Sequence, residues 1–429
     1  MTRTVPTEHA EKRRYMRDCL LLDIVVFLLI YVTDTTLFMR SPFSLLQTFR
    51  TLLPLVGVCL LLFYFFLTKK SIEGKLILYF TVYCAAFFLS LIFFGGVMNA
   101  VFMYLLKILF CVFLAMAVPF ERFCDSFLRV MRIIALVALV SYIIYQITPS
   151  FADLFPKYVS TGSKEGATLE WSNLLFTQLP LSGDTAWSTR NFGPFWEPGA
   201  FAIYLNIALF FTLFSVKQSK KQLYFDLVLF GATVLTTLSS GGIFAFAALM
   251  VAYLFHSEHS YKGVKLSILL LTVAGLIYIF YFNPYFSDML NERLTTPNGS
   301  FDSRYHSIGG NVSTFMKSPI FGVGISNVDG YLAEYYTGIV GDTLRDIHNT
   351  NTVLIYFASG GIMIGVLQVI AWGSLMCRKK NLLTALLLLV FLFLLLMNED
   401  MTGSFIFMLL PMYGVISGRR YANERALDQ

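Results

Sequence analysis

Apolar residues in this chain come in long unbroken runs, and polar residues gather between the runs instead of alternating within them. Runs of about 20 residues, enough to cross roughly 30 Å of hydrocarbon, fall near 19–38, 51–67, 76–97, 100–119, 130–148, 199–216, 223–239, 242–256, 264–282, 351–376, 381–397 and 404–418. The pattern predicts an all-α polytopic membrane protein with about twelve transmembrane helices. Only Ser240 and Gly241 separate the seventh and eighth runs, so these form a tight hairpin that need not reach the far surface, with a small polar tip, TTLSSGG.

Charge orients the bundle. Of the 32 Lys and Arg, 22 fall on one set of alternating segments, which includes both termini, and 9 on the other; Lys107 lies within a span. Positive segments are retained on the cytoplasmic side, so both termini are expected inside, in the bacterial plasma (inner) membrane. Two connections are long, 149–198 and 283–350, and both fall on the outer face. The expected organisation is five N-terminal helices over 1–148, the first large outer loop 149–198, spans six to nine over 199–282, the second loop 283–350, and spans ten to twelve with a cytoplasmic tail over 351–429. Connections of this length in a compact bundle are functional or disordered. Trp171, Trp187, Trp196, Phe192, Phe195, Phe301, Phe315, Phe321 and the Tyr335–Tyr336 pair argue against disorder.

Composition narrows the class further. The chain is 57% apolar and 14% charged, with 43 Phe and 23 Tyr, whereas soluble domains run near 45–50% apolar and about 25% charged. A soluble globular enzyme is excluded. The net charge of +6 follows from the inward positive bias and calls for no nucleic acid. The six cysteines show no CxxC pair and no metal-ligand spacing, which disfavours a disulfide framework and a structural zinc. The first 18 residues are polar and basic, Asp23 and Asp34 interrupt the apolar stretch behind them, and no small-residue cleavage site follows. That segment reads as a retained first helix, not a signal peptide.

Three patches in the outer connections carry candidate chemistry. In TRNFGPFWEPGAFA (189–202), Pro198 marks a helix start and puts Glu197 at the cap, with Arg190 close enough to fold back over the same helix mouth. The plainer alternative is a capping Glu197 and an Arg190 that snorkels to headgroups. In the stretch 300–328, Arg304 suits an oxyanion such as a phosphate, because a guanidinium offers a planar fork of donors; Tyr305 and His306 follow it, and the glycines of SPIFGVG suit close backbone approach to a ligand. Here the alternative is an amphipathic helix lying at the interface. In RDIHNTNTVL, His348 precedes the tenth span, with Asn349 and Asn351 available as caps. A neutral imidazole there fits a general base, or is simply an interfacial polar residue. No GxSxG, HExxH, Walker loop or DxD pair is present, so what remains is a phosphate-and-hydroxyl site with no metal and no cofactor called for.

These pieces, in this order, resemble the O-antigen polymerase and ligase superfamily of bacterial envelope enzymes, which includes O-antigen and capsular polysaccharide polymerases. RNFGPFWEPGAFA looks like the family's Arg-x-x-Gly-x-Phe-x-Glu-Pro-Gly stretch, TTLSSGG like its hairpin, SPIFGVG like its Pro-x-x-Gly-x-Gly turn, and HNTNTVL like its His-Asn helix opening. The resemblance spans roughly 186–365 in separate pieces. It implies a GT-C-like, inverting, metal-independent glycosyltransferase that takes undecaprenyl-diphosphate-linked glycans as donor and acceptor at the outer face, working with a chain-length regulator and a flippase. Carried over by position, Arg190 and Arg304 would bind the donor diphosphate and His348 would sit beside the acceptor hydroxyl; Trp196, Tyr305 and Asn349 are further candidates for binding the diphosphate or glycan. The Glu-Pro-Gly form and Ser240 lean toward polymerase over ligase. His348 is expected to act as base and Glu197 to position the acceptor. The competing reading from another class is a lipid-linked-glycan flippase or transporter, which should carry midspan charges and short outer loops.

Overall fold

The computed structural model describes residues 8–32, 36, 44–69, 71–161, 168–173, 177–180, 189–256, 270, 273, 300–340, 349–377 and 380–416. The bundle begins with α1 (Glu8–Tyr31), α2 (Ser44–Thr68), α3 (Gly74–Phe94), α4 (Met98–Ala117) and α5 (Phe120–Ile147). It continues with α6 (Pro198–Phe210), α7 (Lys220–Thr236) and α8 (Ser240–Phe255), and closes with α11 (Thr352–Cys377), α12 (Leu382–Leu396) and α13 (Phe405–Val415). Two further helices, α9 (Ser300–Lys317) and α10 (Val328–Val340), lie in the second long connection. Among the described residues five helical stretches are long and apolar enough to cross a membrane, namely α3, α4, α5, Pro198–Ser215 and α11, and part of α2 with α8, α12 and α13 are shorter apolar helices. The expected ninth span, 264–282, lies outside the described residues except for Leu270 and Val273, which are helical.

The all-α expectation holds for the bundle, and the first long connection adds to it. After a 3-10 turn at Pro149–Leu154, strands β1 (Lys157–Thr161), β2 (Thr168–Asn173) and β3 (Gln178–Pro180) form an antiparallel meander. Leu179 of β3 is buried with Tyr145 and Ala152, so the meander is anchored on the end of α5. α5 itself starts at Phe120, ahead of the expected 130. Its early basic residues are not a loose loop, because Arg129 donates to Asp23 of α1 at 2.8 Å and Arg132 to Asp226 of α7 at 2.7 Å.

α6 is the hub: it is apolar all round, and every one of its residues is buried, as expected of a helix enclosed by others. It runs into a π turn at Phe211–Ser215. The outer rim of the bundle shows large apolar side chains instead, Phe66, Ile92 and Leu382 among them, a surface suited to lipid.

The connections sort to two ends. At one end, Asn327 donates to the Gly95 carbonyl at 3.0 Å, Arg190 to the Thr237 carbonyl at 3.1 Å, and Arg304 to Asn398 at 3.2 Å, which brings the turns after α3, α7 and α12 together with both long connections. At the opposite end, Tyr413 donates to the Val118 carbonyl at 3.1 Å and Asn381 to the Phe255 carbonyl at 3.5 Å.

One turn does not reach its end of the bundle. Residues 397–404 join α12 to α13, which has only 11 residues and so measures about 16 Å. Cys111 lies about 20 Å down α4 from Met98 at the usual helical rise, and its Sγ meets the Phe405 carbonyl at 3.7 Å. Lys107 donates to the Gly403 carbonyl at 3.5 Å and Tyr104 to the Thr402 carbonyl at 3.2 Å. The 397–404 turn is therefore sunk into the bundle, and the buried Lys107 serves as a prop beneath it.

Candidate active site

Four helix N-termini converge on the sunken turn. A Cβ at Gly199, in the first turn of α6, would strike Oε1 of Glu399, and one at Gly241, in the first turn of α8, would strike Oδ1 of Asn398. Thr352, the first residue of α11, donates to the Glu399 carbonyl at 2.6 Å and accepts from the Met401 amide at 2.9 Å. α13 starts from Ser404, whose hydroxyl is spent on Tyr204 of α6 at 2.7 Å with no side-chain cap on its own helix. The positive ends of these helix dipoles thus point into one region, a setting that favours bound negative charge.

The segment before α6 brings in Arg190. The Asn191 amide donates to the Thr236 carbonyl at 2.9 Å, and its side chain donates to Thr236 Oγ1 at 3.0 Å, so this stretch is laid along the α7–α8 tip. Arg190 Nε donates to the adjoining Thr237 carbonyl at 3.1 Å. From the other side β3 holds the same segment: the Gln178 amide donates to the Gly193 carbonyl at 3.0 Å and its side chain to the Phe195 carbonyl. Two backbone braces therefore set the approach to Glu197.

Arg304 arrives on α9, whose far end is locked to α11. The sequence reading assigned the SPIFGVG glycines to a ligand; the structure uses them against the protein's own backbone. Gly361 breaks α11 with φ 61°, and the exposed carbonyls of Ala358 and Ser359 accept from the amides of Val323 at 3.0 Å and Gly324 at 2.9 Å. The amides of Ile362 and Met363 donate to Pro319 at 2.8 Å and Ile320 at 3.2 Å. All four backbone groups freed by the break are thus satisfied, as a break inside a bundle requires. At the start of α11, Asn349 accepts from Asn311 at 2.8 Å and Ser307 at 3.2 Å on α9, while Asn351 caps the helix by accepting from the Leu354 amide at 3.0 Å.

Glu399 is the residue the sequence reading missed. Burial pushes its carboxyl well above the usual carboxylate range, the Glu197 charge pushes it further, and Arg304 and Arg190 pull it back. Glu197 occupies the N-cap position of α6, where the sequence puts it, and its side chain makes no cap bond; its charge acts on the Glu399 carboxyl. A signal existed in the sequence: Asn398-Glu399-Asp400 interrupts two apolar runs too short to separate it from the membrane interior.

Of the residues singled out from sequence, Arg190, Glu197 and Arg304 come together. Trp196 sits half-buried beside Glu197. Asn349 is committed to α9 and does not cap α11. Tyr305 stands apart: it is 65% exposed, with its ring against His306 at 5.7 Å. His348 lies outside the described residues.

Residues 225–369 match the family model described as O-antigen ligase. The matched segment runs from α7 to α11 and contains Arg304; Arg190, Glu197 and Glu399 lie outside it. No curated protein matches the chain. The match covers about a third of the chain and makes that part similar to the O-antigen ligase and polymerase superfamily.

Proposed function

We propose that this chain is a polymerase that joins lipid-diphosphate-linked oligosaccharide repeats at the outer face of the bacterial plasma membrane. The observation that carries this reading is the meeting of Arg190, Arg304 and four helix N-termini around a carboxyl pair. Such a site is matched to a diphosphate. In the reaction, a hydroxyl oxygen of the acceptor glycan attacks the anomeric carbon of the donor, the bond to the diphosphate oxygen breaks, and the lipid diphosphate leaves with the electron pair. A diphosphate is already a good leaving group, so the main demand is to hold it and neutralise the charge it gains, which preorganised guanidiniums and amides do in a poorly hydrated site. Glu197 orients the acceptor hydroxyl, and His348 accepts its proton.

Ligase activity is the second reading, favoured by the match of residues 225–369 to the O-antigen ligase family. A transporter is disfavoured: the clearest midspan cation among the described residues, Lys107, is committed to the Gly403 carbonyl and lies 5.5 Å from the Phe405 ring.

An envelope polysaccharide gel of a strain lacking the protein separates the two enzymatic readings. Collapse of the ladder to a single-repeat band supports polymerase, and loss of that band as well supports ligase. Labelling of cysteines introduced near residues 165 and 345 by a membrane-impermeant reagent in spheroplasts tests the outer placement of both long connections. Protection of both would overturn it.

A further inference from the structure

We infer that α9 is embedded in lipid: its outward face is a docking surface for the acyl chains of the leaflet on the side where both long connections gather. The inference does not depend on the diphosphate reading of the cluster.

α9 is amphipathic the wrong way round for a helix in water. Its buried positions are Ser307, Gly310, Asn311, Thr314 and, just past its end, Ser318, all of them small or polar. Its exposed positions are Tyr305, Ile308, Val312 and Met316, and Ile320 extends the row. Spacings of three and four residues put each set on one face. Lys317 is exposed beside the row and folds onto α10, with its Nζ 2.8 Å from Glu334 and 4.1 Å from the centre of the Tyr331 ring.

The inner face is engaged with protein. Asn311 donates to Asn349 at 2.8 Å and to the Ser307 carbonyl at 2.8 Å, the Ser307 hydroxyl accepts from the Thr350 amide at 3.2 Å, and Thr314 donates to the Gly310 carbonyl at 2.8 Å. A helix surrounded by lipid packs through small and weakly polar residues, because an apolar side chain gains nothing by leaving hydrocarbon for the protein interior. In water the same helix would expose a row of large apolar side chains and bury its hydroxyls.

α10 is the control within the same connection. It buries Val328, Leu332 and Tyr336 and exposes Asp329, Glu334 and Thr337, the ordinary pattern of a helix that faces water. The two helices pack closely, since a Cβ at Gly309 or Gly310 of α9 would strike Tyr335 or Leu332 of α10. Adjacent helices thus face different surroundings.

Two observations name lipid over a protein partner. The row runs into the rim of the bundle: the Pro319 carbonyl accepts from the Ile362 amide at 2.8 Å, and Phe321 stacks on Phe93 at 5.1 Å. Ile362 and Ile370 of α11 and Ile92 and Phe93 of α3 are exposed, and both helices are long and apolar enough to cross a membrane. The row also offers a partner a single hydrogen-bonding side chain, Tyr305, at the end away from that rim, where an amphipathic ring suits the headgroups. Arg304 precedes it, so embedding α9 sets that guanidinium at headgroup depth, where the phosphates of membrane lipids lie.

The test uses the full chain in liposomes with one spin label at a time, attached through p-acetylphenylalanine so that the native cysteines stay untouched. Labels stand at the positions of Val312 and Met316, with Ile370 of α11 as the lipid reference and Thr337 of α10 as the water reference. Relaxation by oxygen, which concentrates in hydrocarbon, should exceed relaxation by a water-soluble nickel chelate at Val312 and Met316, as at Ile370. The order should reverse at Thr337. Because a bulky label can displace α9, the unmodified protein is also photolabelled by a phospholipid carrying a diazirine on its acyl chain, and adducts should fall on α9 and not on α10. Nickel ahead of oxygen at both α9 positions overturns the inference and places the row in water. Exclusion of both reagents, or the absence of adducts on α9, overturns it as well and assigns the face to a protein partner.

Discussion

Two clusters of arginine and carboxylate in the same bundle are built in opposite ways. Toward the end where α1 and α7 begin, Arg132 grips Asp226 with two hydrogen bonds of 2.7 and 2.8 Å, and Gln222 adds a third at 3.0 Å. Asp226 is fully buried, and its charge is matched. At the sunken turn, by contrast, the charge of one carboxyl bears on the other, Arg304 spends its hydrogen bond on neutral Asn398, and Arg190 Nε donates to a backbone carbonyl. The first cluster is complete as it stands. The second gathers two guanidiniums and two carboxyls beside four helix N-termini, an arrangement suited to an anionic ligand.

The comparison breaks most sharply through stability. Removing one partner of a buried pair leaves an unmatched charge, so Asp226→Ala should cost about 3–5 kcal/mol, read as thermal unfolding of the purified protein. Arg304→Ala should do the reverse, unfolding near the wild-type temperature while losing about 100-fold in glycan transfer. Arg304→Lys should recover part of that loss, since the charge remains and the fork does not. If both substitutions unfold the protein alike, the two clusters are not different in kind.

Gly199→Ala is a smaller intervention on the second cluster. Its new methyl meets Glu399 Oε1, and such overpacking typically costs about 1–3 kcal/mol. Transfer should fall by more than that loss of stability explains, because Glu399 must move.

The smallest expected effect is on pH dependence. Glu399 binds its proton more tightly folded than unfolded, so the folded state carries more protons above the ordinary carboxylate range and stability declines as pH rises. In Glu399→Gln, that part of the decline should disappear from melting curves collected in steps from pH 5 to 9.

Much of this contrast was legible in the sequence, and unevenly so. Apolar run length located α3, α4, α5, α6, α8, α11 and α12, because hydrocarbon thickness imposes a length that no packing detail overrides. Arg190, Glu197 and Arg304 stood out as charges beside helix starts, and the fold brings them together. Glu399 did not, because its neighbourhood depends on α13 being too short to lift residues 398–404 to the surface, and on Lys107 and Tyr104 holding them down. The glycines of SPIFGVG were read as ligand-facing since a left-handed turn looks the same whether it approaches a phosphate or, as at Gly324, the carbonyl of Ser359. The meander was read as loop, although KYVST and TLEWSN carry the β-branched and aromatic residues of short strands.

The central claim is that the Arg190, Arg304, Glu197 and Glu399 cluster is where a lipid-linked diphosphate is held while its glycan is transferred. Purified protein in liposomes with undecaprenyl-diphosphate-linked repeat units tests this directly, by the release of free undecaprenyl diphosphate alongside growth of the glycan. The account predicts release and growth in step for the wild type, and loss of both, with the fold intact, in Arg190→Ala and Arg304→Ala. Wild-type release and growth in both variants would contradict it.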